Sequence, residues 1–273
     1  MALTRGDLRG IGLASSTPFT DDATLVADEA RQAEDLGFVT LWRSGVLPMV
    51  DVAVRATERI PVATGIIAVS NVAAPEVAAA YHALERDRPG RFLVGLGGAH
   101  DAHPLRTLGA YLDALDDAGV PTEARVLAAL GPNMLALARD RASGAYPYLV
   151  TPSYVAGARA VLGPEHLLAV LVMTAPTTDR EVARRAAAGP LAFLTATGGY
   201  RRNLLRLGFG EADIDGVSDR LLDGIVAWGD ADAIAARLAE HRAAGADQVV
   251  LRILDVGDDP AAHRADLARS LLR

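Results

Sequence analysis

Arg91-Phe92-Leu93-Val94-Gly95-Leu96-Gly97 is a near-continuous apolar run of strand-forming residues between a Pro-Gly turn and a glycine pair. Strands that alternate sides of a half-solvated sheet show polar residues at every second position, whereas a strand covered on both faces shows none. The run therefore reads as one stave of a buried parallel sheet. Seven more runs of this kind complete the set of eight, at residues 10–14, 38–42, 62–68, 92–96, 126–130, 146–150, 167–173 and 248–254. Helical patterns of ten to fifteen residues stand between them, as at 25–36, 75–88, 132–141 and 154–162. Such alternation requires crossover connections and a parallel sheet, and eight repeats predict a closed (β/α)8 TIM barrel.

Stop signals support the helices. Gly37 stands at a C-cap, Pro75 and Pro132 stand where a first turn tolerates a missing N–H, and Gly163-Pro164 ends the fourth helix. About seventy residues separate the seventh run from the eighth, more than one crossover needs, so extra helices are expected at 180–194, 201–207 and 219–226. With 273 residues, 51% of them hydrophobic, the chain is expected to form a single barrel domain over residues 1–273.

Composition removes several chemistries. The chain has no cysteine, and all 27 basic residues are arginine. A lysine Schiff base, a Walker-type phosphate loop, a thiolate nucleophile and a cysteine-ligated cluster are therefore excluded. A net charge of −7 speaks against nucleic-acid binding. No apolar run reaches the roughly 20 residues that a membrane span needs, and a cytoplasmic, soluble protein is the expectation.

In a barrel, function belongs to the loops after the strands. Those loops read Ser15-Ser16-Thr17, Arg43-Ser44-Gly45, Ser70-Asn71, Gly97-Gly98-Ala99-His100, Gly131-Pro132-Asn133, Thr151-Pro152-Ser153, Thr174 and Asp255. Metal ligands and the carboxylate pair of a glycosidase are missing from this set, so no metal site is expected. Hydroxyls and glycines suit a site where a bound cofactor carries the chemistry. Gly97 and Gly98 would let a flat ring approach the backbone, and His100 is the one histidine placed just past an expected strand. The segment is no dinucleotide fingerprint, because His100 replaces its third glycine. Gly131 and Thr151 each open a helix whose N–H groups could hold a phosphate oxygen or serve plain capping. Arg201, Arg202 and Arg206 could hold an anionic tail or form a solvated face. His82, His241 and His263 fall in helices and are expected to be solvated.

Three segments carry a family resemblance. They are Pro89 to Gly97 with a following histidine, Gly131-Pro132-Asn133-Met134 leading to Pro147-Tyr148-Leu149-Val150-Thr151-Pro152, and the C-terminal stretch from Gly199-Tyr200-Arg201-Arg202 through Trp228-Gly229-Asp230 to Val249-Val250-Leu251-Arg252. Together they resemble the luciferase-like monooxygenases, and more narrowly their coenzyme F420-dependent oxidoreductase branch. The resemblance implies a barrel that dimerises, with F420, or FMN in sister branches, at its C-terminal mouth and a small-molecule substrate. It implies a non-prolyl cis peptide at Gly65-Ile66 behind the ring, contact from Ser44, a phosphate tail at Gly131 and Thr151, and His100 as the polar group or proton donor facing the ring. Arg43-Ser44-Gly45 departs from the acidic residue of relatives, and Val72-Ala73-Ala74-Pro75 departs from their Arg-His-Pro. An FMN-dependent monooxygenase and a non-catalytic, flavin-binding barrel are the alternative readings.

Overall fold

The computed structural model describes residues 5–99, 101–257 and 259–272. Along the chain lie β1 (Gly10–Ala14), α1 (Ala23–Asp35), β2 (Leu41–Arg43), α2 (Leu47–Arg55), β3 (Val62–Thr64), β4 (Ile67–Ala68), α3 (Ala74–Asp87), β5 (Phe92–Gly97) and α4 (Pro104–Asp117). Next come β6 (Arg125–Leu127), α5 (Pro132–Arg141), β7 (Gly144–Ala145), α6 (Pro152–Leu162) and β8 (Leu167–Ala175). Four helices follow, α7 (Arg180–Thr195), α8 (Gly198–Arg206), α9 (Glu211–Gly216) and α10 (Asp219–Ile225). The chain then runs through β9 (Val226–Trp228), α11 (Ala231–Ala243), β10 (Gln248–Ile253) and α12 (Pro260–Leu271).

Every pairing is parallel. The order β10-β1-β2-β3-β5-β6-β7-β8 is closed by pairing of β8 with β10, which makes the expected eight-stave barrel once β4 is counted as the continuation of β3. Side-chain parity then sorts the core. Trp42, Ala63, Leu93, Val126, Tyr146, Leu171 and Val250 fill the barrel interior, while Leu13, Leu41, Val62, Val94, Leu127 and Val249 pack outward against the helices. A third cluster, formed by α7 to α10, covers Met173 and Ala175.

Between β3 and β5 the register slips by one residue. Ala63 faces Leu93 and Ile67 faces Leu96, so four steps on one strand match three on the other. This is a bulge, and the Gly65–Ile66 peptide within it is cis, at the position the resemblance implies. Here the Thr64 side chain substitutes for ladder contacts: its hydroxyl donates to the Gly95 carbonyl (2.9 Å) and accepts from the Gly95 amide (2.7 Å). A Cβ on Gly95 would lie 1.8 Å from the Thr64 carbonyl oxygen, a backbone atom that cannot swing aside. Gly95→Ala is therefore expected to destabilise the barrel by about 3 kcal/mol, measured by urea unfolding; an unchanged midpoint would refute the assigned register.

Three expectations shift. The run at 146–150 contributes one bridge, Tyr148 to Leu171, instead of a strand, because Pro147 has no N–H to donate and Leu149 turns to a φ of 56°. Pairing moves to Gly144–Ala145. The long insertion holds two elements that the pattern did not reveal, α9 and β9, the latter pairing with residues 173–175 of β8. His241, expected to be solvated, is buried in α11. Loss of hydration, helped by the charge on Arg237, pushes its pKa down to about 4. Among the described residues no helix is long and apolar enough to cross a membrane.

Candidate functional site

The interior side chains become polar and aromatic toward the C-terminal ends of the strands. Trp42 and Tyr146 stack at 3.8 Å with a 3° interplanar angle. The Trp42 indole N–H donates downward, to Gln248 Oε1 (2.8 Å) and Thr40 Oγ1 (3.1 Å), and Gln248 Nε2 donates to the Leu8 carbonyl (2.6 Å). These bonds lock the floor of the mouth. A Cβ on Gly65 would lie 2.9 Å from the Tyr146 ring, so the glycine is what lets the β3 bulge pass over that ring.

Above the floor, several of the expected cofactor residues meet. Ile66 lies against Gly97, whose Cβ would be 3.1 Å from Ile66 Cδ1, and against Gly98, which takes a φ of 75°. The amide of Gly45 donates to the Ile66 carbonyl (3.3 Å), which ties the β2 loop to the bulge. Ser44 stands there too, but its hydroxyl is engaged by the Pro18 carbonyl. His100 lies outside the described residues.

The corner that holds Gly131 and Thr151 is built from two helix starts. Gly131 gives α5 no side-chain cap and Pro132 follows it, so the first-turn amides remain open. Thr151 caps α6 by accepting from the Tyr154 amide (3.3 Å) and pairs with the Ser153 hydroxyl (2.9 Å). The Tyr154 hydroxyl donates to the carbonyls of Ala129 and Leu130 (both 3.0 Å), joining the start of α6 to the loop that ends at Gly131. Burial pushes that phenol pKa up, so it stays a donor. The cation in this corner is Arg206. A Cβ on Gly131 would meet its Nη1 at 3.3 Å. Arg201, on the same helix, is engaged instead by Glu211 and by Asp215 (2.8 Å), on the far side of the helical insertion.

Beside β1 and β2 lies a buried ionic knot that the sequence did not disclose. Glu29 accepts from Ser15 Oγ (2.5 Å), Ser16 Oγ (2.6 Å), the Ser16 amide (2.8 Å) and Arg43 Nη1 (3.3 Å), with Arg264 at 3.6 Å. With both oxygens committed, Glu29 holds the β1 loop against α1 and is no free base.

Reading the sequence by loop ends also missed Arg252, Tyr146, Tyr148 and Tyr200. The signal for Arg252 is parity: Gln248 and Val250 face the interior, and Arg252 follows at the same spacing.

No protein-family model and no curated relative matches the sequence. Solved structures do match in shape. The coenzyme F420-dependent tetrahydromethanopterin reductase from Methanopyrus kandleri superposes with a TM-score of 0.69 at 18% identity, covering 96% of this chain and 97% of that one. An F420-dependent secondary alcohol dehydrogenase in complex with an F420-acetone adduct gives 0.70 at 15%, over 97% and 98%. The oxygenating constituent of 3,6-diketocamphane monooxygenase from Pseudomonas putida, in complex with FMN, gives 0.67 at 15%, over 95% and 96%. At these identities the likeness concerns the fold: this chain has the same (β/α)8 barrel architecture as these structures.

Proposed function

We propose that this chain is an oxidoreductase that binds a flavin-type cofactor, coenzyme F420, at the barrel mouth and acts on a small organic molecule. The observation that carries this reading is the anion corner, where the open amides of α5, the Thr151 cap and the Arg206 guanidinium converge. Helix starts carry partial positive charge and donors aimed outward, so this corner suits the phosphate of such a cofactor. Ile66, Gly97 and Gly98 would back the ring, and Ser44 borders it. The bound ring supplies hydride transfer. His100 is proposed as the nearby proton donor, and a cytoplasmic homodimer as the working form. The choice of F420 over FMN rests on the resemblance of residues 131–134, 147–152 and 199–254 to the deazaflavin branch.

The test is a fluorescence titration of the protein with F420 and, separately, with FMN. F420 is expected to bind, and Arg206→Ala is expected to weaken it about 10- to 100-fold without loss of folding, because the Arg206 side chain is exposed and, among the described residues, makes a single hydrogen bond, to Asn203 (3.1 Å). Binding of FMN alone would shift the reading to a flavin monooxygenase. Binding of neither would leave a non-catalytic barrel.

A further inference from the structure

Besides Arg206, the barrel mouth carries a second cation, Arg252. Its inward parity places it over the floor, and Nη1 donates to the Ser15 carbonyl (2.6 Å), which fixes the guanidinium plane. Among the described residues no carboxylate lies within ion-pair distance of it; Glu29, buried nearby, is consumed by its own partners. The Nε and Nη2 of Arg252 find no acceptor among the described residues and are not sealed from solvent. A half-buried arginine at the strand ends with its free edge open is arranged to receive an acceptor from outside.

The phenols around it point to the same ligand. Tyr146 is 5% exposed, and its hydroxyl makes no hydrogen bond within the described residues yet is not enclosed. The hydroxyls of Tyr148 and Tyr200, whose rings meet edge to face at 6.2 Å, also have no hydrogen-bond partner among the described residues and are open. Burial raises all three phenol pKa values, Tyr200 to about 12, while the Arg252 charge acts against the rise at Tyr146 and Tyr148. These hydroxyls are therefore neutral donors under ordinary conditions. One cation and three phenol donors, with no carboxylate paired to the cation among the described residues, leave donor edges that solvent fills, and an anionic acceptor would replace that water with stronger charge-assisted hydrogen bonds.

We propose that the barrel mouth selects a small organic carboxylate as its substrate, held by Arg252 with Tyr148 and Tyr200, above the Trp42–Tyr146 floor. The assignment of this ligand as substrate rests on the oxidoreductase reading; carboxylate binding itself does not.

The experiment is calorimetric titration of the wild-type protein with acetate, pyruvate, benzoate and cinnamate, each against its amide. Arg252→Met and Tyr148→Phe are titrated in parallel, and F420 and FMN are titrated into all three proteins. At least one carboxylate is expected to bind in preference to its amide. Arg252→Met should weaken it about 10- to 100-fold, Tyr148→Phe should weaken it severalfold, and cofactor affinity should stay within about threefold of wild type. The proposal is overturned if no carboxylate is preferred over its amide, if Arg252→Met binds the acid as tightly as wild type, or if it loses cofactor affinity in step, which would make Arg252 a cofactor ligand. The wild-type acid-against-amide comparison decides even where a variant does not fold. Carboxylate preference without any cofactor binding would remove the oxidoreductase reading and keep the anion site.

Discussion

Glu29→Ala is expected to cost about 3–5 kcal/mol of stability, the largest effect of any single charge removal near the barrel mouth. The reason is the company it keeps. The Arg43 side chain is fully buried, and burial holds its pKa below the ordinary arginine value, with Glu29 opposing that shift. Arg43 Nε and Nη2 already lack partners. Without the carboxylate, a desolvated guanidinium and the neighbouring Arg264 would face each other uncompensated, and Ser15 and Ser16 would lose the acceptor that orders their loop. Urea denaturation measures the loss. Glu29→Ala combined with Arg43→Met should recover much of it, since pairing and desolvation cancel when both charges go. A single-variant loss below about 1 kcal/mol, the range of an exposed ion pair, would show that the knot is solvated.

Asp247→Ala is expected to have a comparable effect at the opposite end of the barrel, again about 3–5 kcal/mol near neutral pH. Asp247 accepts from Arg159 (2.5 Å), from the Leu168 amide (3.0 Å) and from Arg5, with Arg9 at 3.4 Å. It thereby joins the N-terminal segment, α6 and β8 at the foot of β10. Burial by itself raises its pKa. Hydrogen bonds from Arg5 and the Leu168 amide, with the charge of Arg159, more than reverse that rise, so the carboxyl titrates below its ordinary value of 3.8. A depressed carboxylate stabilises fully above its unfolded pKa and loses that contribution as pH falls through the folded one. Melting temperatures of wild type and variant should therefore differ most near neutrality, and the gap should narrow progressively as pH falls below the ordinary carboxyl value of 3.8. A constant gap across that range would mean that packing, not charge, accounts for the loss.

The barrel was legible because its signal is local and repeated. A run such as Phe92–Gly97 has no polar residue to turn outward, whichever neighbours it finds. Register and bounds were less legible. Thr64 pairs with Gly95 because the chain slips one residue at Gly65–Ile66, and that slip belongs to two strands at once. The resemblance, not the alternation, pointed to the cis peptide.

For the site, residue type and loop position singled out Gly97, Gly98, Gly131 and Thr151, and the resemblance singled out Ser44 and Ile66; all six lie at the C-terminal ends of the strands. They did not separate Arg201 from Arg206. Both sit on α8, five positions apart, and only the docking of that helix decides that Arg206 faces Gly131 while Arg201 faces Asp215.

By itself, then, the sequence determined that eight staves alternate with helices, though not where every stave lies, together with the exclusion of lysine and cysteine chemistry and the glycines and caps at the helix starts. Each depends on a residue's own conformational freedom, hydrophobicity or chemical type, which the linear order preserves. Tertiary structure alone decided which arginine meets Gly131, that Glu29 is spent in an ionic knot, and that Arg252 stands near Tyr146, Tyr148 and Tyr200 without a carboxylate partner among the described residues. Those relations join residues from strands, loops and the helical insertion. The physical reason is closure: side chains far apart in sequence share an environment only after the ring of strands is complete, and that environment sets their partners and their charge.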